Sequence, residues 1–334
     1  MELPDPIAVI DIGTNTVRLI VARPEGPTHR TIHTAQVITR LGAGLVRRPR
    51  LDPAAWERTM AALRKLTAQA RDAGAARVIA VATSAAREAE DGPAFCQEAA
   101  ESLGIRVLPL SGAEEARLTA IGVLWALGSL EGTCLILDVG GGSTELTWIV
   151  SGEVAGRVSL PLGAVRLTEA ALHHDLPLPQ EIATVRRLTA EALTGLAPPL
   201  ADGRETRLLG TAGTITTLAA IDLRMGTYDA TRITGHRLDR DRVETLLSRL
   251  GALSLEERRR LPGLEPERAD IIVAGAAITA EVMTALGAPT IVVSNGGLRE
   301  GVLLDLLRRQ AAHHAPARGS PRTTRCLDKS GGPC

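Results

Sequence analysis

Lysine is nearly missing from this chain of 334 residues: only Lys65 and Lys329 stand among its 38 basic side chains, and the rest are arginines. Chemistry that needs a core lysine, such as a P-loop or a Schiff base, is therefore nearly excluded. An anionic ligand here has to be held by arginine, backbone N–H groups or a metal ion. Aromatic residues are almost absent too, being Trp56, Phe95, Trp125, Trp148 and Tyr228 alone. So few rings do not make the stacking platforms of an RNA or single-strand binder. There is no excess charge, 38 acidic side chains balancing 38 basic ones, so neither nucleic acid nor an anionic membrane is an expected partner. The cysteines, Cys96, Cys134, Cys326 and Cys334, show no CxxC spacing, which argues against a zinc site and a disulfide framework. No apolar run reaches the ~18 residues that span a bilayer. The first residues also lack the basic-then-apolar pattern of a leader peptide. The expected location is the reducing cytoplasm.

What is present is a repeated pattern built on Ala, Leu, Val and Ile. Apolar runs at 7–10 and 17–22 enclose Asp11-Ile12-Gly13-Thr14-Asn15-Thr16, which predicts strand, glycine turn, strand, with a third strand over 31–39. Helical periodicity over 52–72 places Trp56, Met60, Leu63 and Leu66 on one face, ended by Gly74. A strand over 77–82, a helix over 92–103, a strand over 107–109 and a helix over 111–127 follow. The pattern then restarts: a strand over 134–137 runs into Asp138-Val139-Gly140-Gly141-Gly142-Ser143-Thr144-Glu145, and another strand spans 146–150. Two further glycine-rich turns follow predicted strands at 207–209 and 290–293. They are Gly210-Thr211-Ala212-Gly213-Thr214 and Ser294-Asn295-Gly296-Gly297, and each precedes a helix. Alternating strands and helices make the fold class α/β. The internal echo predicts two related halves with a ligand between them. The tail over 311–334, rich in Pro, Gly, Ser, Arg and His, is expected to be disordered.

The two Asp-bearing hairpins carry the chemistry. A glycine-rich turn gathers N–H groups into a concavity that suits phosphate oxygens, and a Cβ there would block close approach. An Asp beside such a turn is placed to hold Mg²⁺, which can bridge to the phosphates. Glu114 and Glu115, near the start of a helix, read from spacing alone as acidic residues complementing the helix dipole. A glutamate facing a metal-bound phosphate can also take a proton from attacking water. Arg87, after Thr83-Ser84, is a plausible anion contact, and Arg18, Arg117, Arg166, Arg268 and Arg299 also lie beside motifs.

Five segments in order now carry a family resemblance: Ala8-Val9-Ile10-Asp11-Ile12-Gly13-Thr14-Asn15, Ser111 to Leu118 with Glu114-Glu115 inside it, Asp138 to Leu146, Gly210 to Thr214 and Ser294 to Arg299. Over residues 7–308 the chain resembles the exopolyphosphatase/guanosine pentaphosphatase family of the actin-like ATPase superfamily. The resemblance implies two actin-like, ribonuclease H-like α/β lobes around a central cleft. Lobe I would span 1–127 with a returning helix at 298–310, and lobe II 128–297. It implies hydrolysis of the terminal phosphoanhydride of inorganic polyphosphate with Mg²⁺ or Mn²⁺, by a homodimer. By position, Glu115 would be the general base, and Asp11, Asp138 and Glu145 would hold the metal. Arg87 and Arg268 would clamp phosphate, and Gly13, Thr14, Asn15, Gly141, Gly142, Ser143 and Thr144 would supply turn contacts. Longer family members carry a further C-terminal helical domain. This chain stops soon after residue 307, so short polyphosphate is the expected substrate. A (p)ppGpp-type nucleotide, guanosine pentaphosphate, is the alternative, weakly disfavoured by the scarcity of aromatics. An acetate- or sugar-kinase-like phosphotransferase fits the Glu-Glu and Ser-Asn-Gly-Gly motifs less well.

Overall fold

A computed structural model describes residues 4–128, 132–196 and 206–314. The first sheet contains β1 (Ile7–Ile12), β2 (Thr16–Glu25), β3 (Thr28–Ile38), β4 (Arg77–Ala82) and β5 (Arg106–Pro109), in the order β3-β2-β1-β4-β5. The first three form an antiparallel meander, and β4 and β5 add in parallel. Its helices are α1 (Pro53–Asp72), α2 (Ser84–Glu88), α3 (Gly92–Leu103) and α4 (Gly112–Leu127). The second sheet contains β6 (Thr133–Val139), β7 (Thr144–Val150), β8 (Glu153–Leu160), β9 (Arg207–Thr211), β10 (Arg237–Asp239) and β11 (Thr290–Val293). Its order from one edge, β8-β7-β6-β9-β11, repeats that of the first sheet strand for strand and direction for direction, with β10 added antiparallel at the far edge. The fold is α/β, and the sequence echo is a duplicated sheet.

Covering the second sheet are α5 (Ala164–Ala171), α6 (Pro179–Leu193), α7 (Ala212–Asp222), α8 (Ala230–Ile233), α9 (Arg240–Gly251), α10 (Leu255–Arg259), a 3-10 turn at Pro266–Arg268 and α11 (Ile272–Ala285). Nearly every α11 side chain is buried, which is why that segment is apolar all round rather than on one stripe. The central strands β1 and β6 read as near-continuous apolar runs because both of their faces are covered. The last helix, α12 (Leu298–His314), packs back onto the first sheet: Leu298, Val302, Leu303 and Leu307 share a cluster with Ile7, Val9, Ile20 and Leu118.

The crossing of α12 with α4 is backbone against backbone. A Cβ on Gly122 would fall 1.9 Å from the carbonyl oxygen of Gly297, and one on Gly301 would fall 1.8 Å from that of Leu118. Only glycine fits at both places. Arg117 on α4 pairs with Asp305 on α12 and fixes the helices' rotation.

Two expectations change. Gly210 does not lie in a turn: it sits inside β9, where a Cβ would strike Ile291 at 2.4 Å, so it is a packing glycine. The helix α12 runs to His314, past residue 311, where the tail was expected to begin; residues 315–334 lie outside the described residues.

Candidate active site

Both Asp hairpins are held by the same bonds. The Gly13 N–H donates to the Thr16 carbonyl at 3.1 Å, and the Gly140 N–H to that of Ser143 at 3.0 Å. Asp11 stands opposite Arg18 across the first hairpin, and Asp138 opposite Glu145 across the second. The register is the same in both copies, but the partner is a guanidinium in one and a carboxylate in the other. The turns approach closely: a Cβ on Gly142 would lie 2.4 Å from Ser84 Oγ and 2.7 Å from Thr14 Oγ1, so that something would have to shift, and one on Gly141 would lie 3.1 Å from Thr14 Cβ, a tight contact.

The cleft between them, about 1070 Å³, is lined by Asp11, Gly13, Thr14, Asn15, Glu115, Asp138, Gly141, Gly142, Ser143 and Arg268. Thr144, Glu145 and Arg87 stand just behind that wall. Thr144 Oγ1 donates to the Leu162 carbonyl at 2.7 Å, and Glu145 is buried, accepting from Ser159 Oγ at 2.7 Å. Arg87 Nη1 donates to Glu115 Oε2 and to the Leu110 carbonyl, both at 2.9 Å. Arg87 therefore reaches the glutamate rather than the open cleft.

The Ser-Gly-x-Glu-Glu segment is built to aim one glutamate. Ser111 Oγ caps α4 by accepting from the Glu114 N–H at 3.2 Å. Gly112 lets the helix start close to β8, since a Cβ there would lie 2.4 Å from Ser159 Cβ, on the residue that holds Glu145. Glu114 turns outward to Arg117, whereas Glu115 turns inward and is 8% exposed. One turn further along the same face, Thr119 Oγ1 donates to Asp138 Oδ2 at 3.3 Å.

These carboxylates repel each other in a poorly hydrated place. Burial pushes Asp11 up to about 6, against the pull of Arg18 and Arg299. Burial and the charge of Asp11 push Asp138 up to about 6 as well. Burial, then Asp138, raises Glu145 to about 8. Burial and Glu145 hold Glu115 well above the usual carboxylate range, against its bond to Arg87. A cluster of this kind suits a cation. Asp11 Oδ1 is buried and has no hydrogen-bond partner, so it is free to bind a cation. Among the described residues no three His, Cys, Asp or Glu side chains stand together so that they could hold a metal ion, the Asp11, Asp138 and Glu145 set included. Mg²⁺ does not need three, because it ordinarily takes one or two carboxylates and keeps water and substrate oxygens as its other ligands.

Arginines occupy the other side. Arg18 reaches across from the first sheet to meet Arg268, which belongs to the second: a Cβ on Gly213 would meet Arg268 Nη1 at 2.4 Å and Arg18 Nη2 at 2.8 Å, at the start of α7. Arg268 Nη2 also donates to Thr16 Oγ1 at 3.2 Å. Burial, followed by repulsion from Arg268 and Arg299, lowers Arg18 to about 10. Crowded guanidinium groups beside a helix N-terminus suit an anion. Arg18 was only one of several arginines near motifs in the sequence. The signal that singles it out is its register, which matches that of Glu145.

Trp125 and Tyr228 also line the cleft. Trp125 stacks on His29 with centroids 4.4 Å apart, and the Tyr228 hydroxyl donates to Asn295 Oδ1 at 2.5 Å. Aromatics are few, but two of them are here.

Comparison with known proteins places these features in a family. The model of the Ppx/GppA phosphatase family matches residues 20–310. Exopolyphosphatase 2 of Mycobacterium tuberculosis is 35% identical over 315 residues, covering 90% of this chain and 98% of that protein. The crystal structure of the Aquifex aeolicus member of the Ppx/GppA family superposes with a TM-score of 0.77 at 30% identity, covering 92% of this chain and 98% of the other. An exopolyphosphatase from Cytophaga hutchinsonii superposes with a TM-score of 0.83 at 27% identity, covering 91% and 98%.

Proposed function

The chain belongs to the Ppx/GppA phosphatase family, and on that premise we propose that it is an exopolyphosphatase. It removes the terminal phosphate of inorganic polyphosphate, with short chains preferred and a divalent cation required. The observation that carries this reading is the convergence of two glycine turns, the inward Glu115 and the Arg18–Arg268 pair on one cleft. The cleft has the volume of a small-molecule site, which suits a run of a few phosphates.

Phosphoryl transfer needs positioning and charge neutralisation more than covalent help. Gly13, Thr14 and Asn15 on one side and Gly141, Gly142 and Ser143 on the other grip the terminal phosphate. Thr144 and Ser159 brace the second hairpin from behind. Arg18 and Arg268 hold the next phosphate, whose bridging oxygen is the leaving group. Glu115, kept in one orientation by Arg87, accepts a proton from a water placed in line with the breaking P–O bond. Its raised proton affinity suits a base. Asp11 and Asp138, with Glu145 behind, are the side chains that would hold a divalent cation, whose chemistry here is neutralisation of phosphate oxygens.

A second reading is guanosine pentaphosphate hydrolysis, favoured by one observation: Trp125 and Tyr228 give the cleft wall faces on which a base can lie. Orthophosphate release with Mg²⁺ from short polyphosphate, long polyphosphate, guanosine pentaphosphate and ATP, side by side, separates the readings. The fastest kcat/KM on short polyphosphate is the expected result. No release from any of them overturns both.

A further inference from the structure

The duplication extends beyond the hairpins to what holds them. After β3, the N–H groups of Thr39 and Arg40 both donate to the Asn15 carbonyl at 3.0 Å, and that of Gly42 donates to the Thr14 carbonyl at 2.9 Å. After β8, the Ala164 N–H donates to the Gly140 carbonyl and that of Val165 to the Gly141 carbonyl, both at 2.9 Å. In each lobe the segment after the third strand props its own phosphate turn from behind.

Each segment also carries an arginine that leaves its own lobe. Arg40 forks onto Asp270, at 2.7 and 2.9 Å, and donates to the Glu267 carbonyl at 2.8 Å. Those acceptors flank Arg268. In the other direction, Arg166 pairs with Glu88 on α2, next to Arg87, while its Nε donates to the Gly142 carbonyl at 2.9 Å. Arg40 holds a left-handed backbone, φ 55°, that a non-glycine residue adopts at a cost. Two weaker ties lie beside the first clasp: the Gly44 N–H donates to the Glu169 carboxylate at 3.0 and 3.1 Å, and Gln36 reaches Glu265.

We propose that Arg40 and Arg166 are positioning residues forming a reciprocal clasp, each joining the phosphate turn of its own lobe to the working arginine of the other. Arg40 ties the Thr14–Asn15 turn to Arg268, and Arg166 ties the Gly142 turn to Arg87 and hence to Glu115. The clasp sets the two turns and the two arginines at their distances across the cleft. Its halves have different consequences. Arg268 is a phosphate holder, so loosening Arg40 weakens substrate binding; Arg87 orients the base, so loosening Arg166 slows turnover.

The inference rests on the proposed hydrolase reading, and the test separates the two. Orthophosphate release from inorganic triphosphate with Mg²⁺ is followed for the wild type, Arg40→Gly, Arg40→Lys, Asp270→Asn and Glu88→Gln. Arg40→Gly deletes the guanidinium while relieving the left-handed backbone, so the fold is kept, as a melting curve checks. Losing a partly exposed forked pair is expected to raise KM about fivefold with kcat within about twofold of wild type. Asp270→Asn shifts KM in the same direction by less. Arg40→Lys restores KM only in part, because an ammonium has no fork. Glu88→Gln lowers kcat and spares KM. Equal scaling of KM and kcat in Arg40→Gly, full rescue by Arg40→Lys, or wild-type kinetics throughout overturns the clasp. A wild-type protein that releases no phosphate defeats the hydrolase reading instead. The clasp is then judged by small-angle scattering of the free protein: a larger radius of gyration for Arg40→Gly supports it, and an unchanged one overturns it.

Discussion

Replacing Glu115 by Gln separates chemistry from folding. Glutamine keeps an oxygen that can accept from Arg87 Nη1 in place of Oε2, now at 2.9 Å, and it keeps the side-chain volume of a residue only 8% exposed. It cannot take a proton from water. Loss of a general base lowers turnover by about 10²–10⁴, which is about 2.7–5.5 kcal/mol of barrier. Stability moves the other way. Burial and Glu145 raise the proton affinity of Glu115, so the folded wild type binds that proton more tightly than the unfolded chain does. Its charge is tolerated less as pH rises through the folded pKa, and stability is lost there. Glu115→Gln removes that penalty. The variant should match the wild type below pH 4.5, the ordinary value for the group, and exceed it above the folded pKa. Phosphate release under saturating polyphosphate, with urea unfolding at pH 4.5 and pH 8.5, reads both effects. Wild-type turnover in the folded variant would refute the base. A loss of activity matched by a loss of stability at both pH values would make Glu115 a structural residue.

Gly301→Ala should cost about 1–3 kcal/mol by forcing the α4–α12 crossing apart; an unchanged urea midpoint contradicts the backbone contact with Leu118. Glu181 gives the opposite pH dependence to Glu115. Burial works against its charge, but His174 and the N–H groups of Leu178 and His173 hold it down at about 2. Its contribution is full above pH 4.5 and is lost as pH falls toward 2, so Glu181→Gln should flatten unfolding stability in that window. Millimolar Mg²⁺ should raise the melting temperature of the wild type by relieving the repulsion of Asp11 and Asp138, and should leave Asp138→Asn nearly unmoved. An equal rise in both proteins would place the ion elsewhere.

Much of this architecture was legible in the chain because the hairpins announce themselves: an apolar run, an Asp, a glycine turn, and the same again. Strand ends were less legible. Pairing carries β1 to Ile12 and β6 to Val139, so Asp11 and Asp138 are strand residues in full register rather than strand ends. Gly210 looked like a turn residue because glycine signals both turns and tight packing, and only the neighbouring Ile291 side chain tells them apart. Within the site, Glu114 and Glu115 are chemically identical neighbours. What divides them is the helix rotation set by Ser111 and Gly112, which no composition reveals. The scarcity of rings was a true count that pointed away from a base-stacking wall, yet a count carries no positions, and Trp125 and Tyr228 both reached the cleft.

Two unmodified copies of one hairpin would face each other as equals and leave the space between them without direction. At one matched register position the first copy carries Arg18 and the second Glu145. Arg18 lines the cleft, whereas Glu145 is buried behind its wall. A duplicated scaffold thus gains two sides of unlike charge, and the cleft between them has a direction.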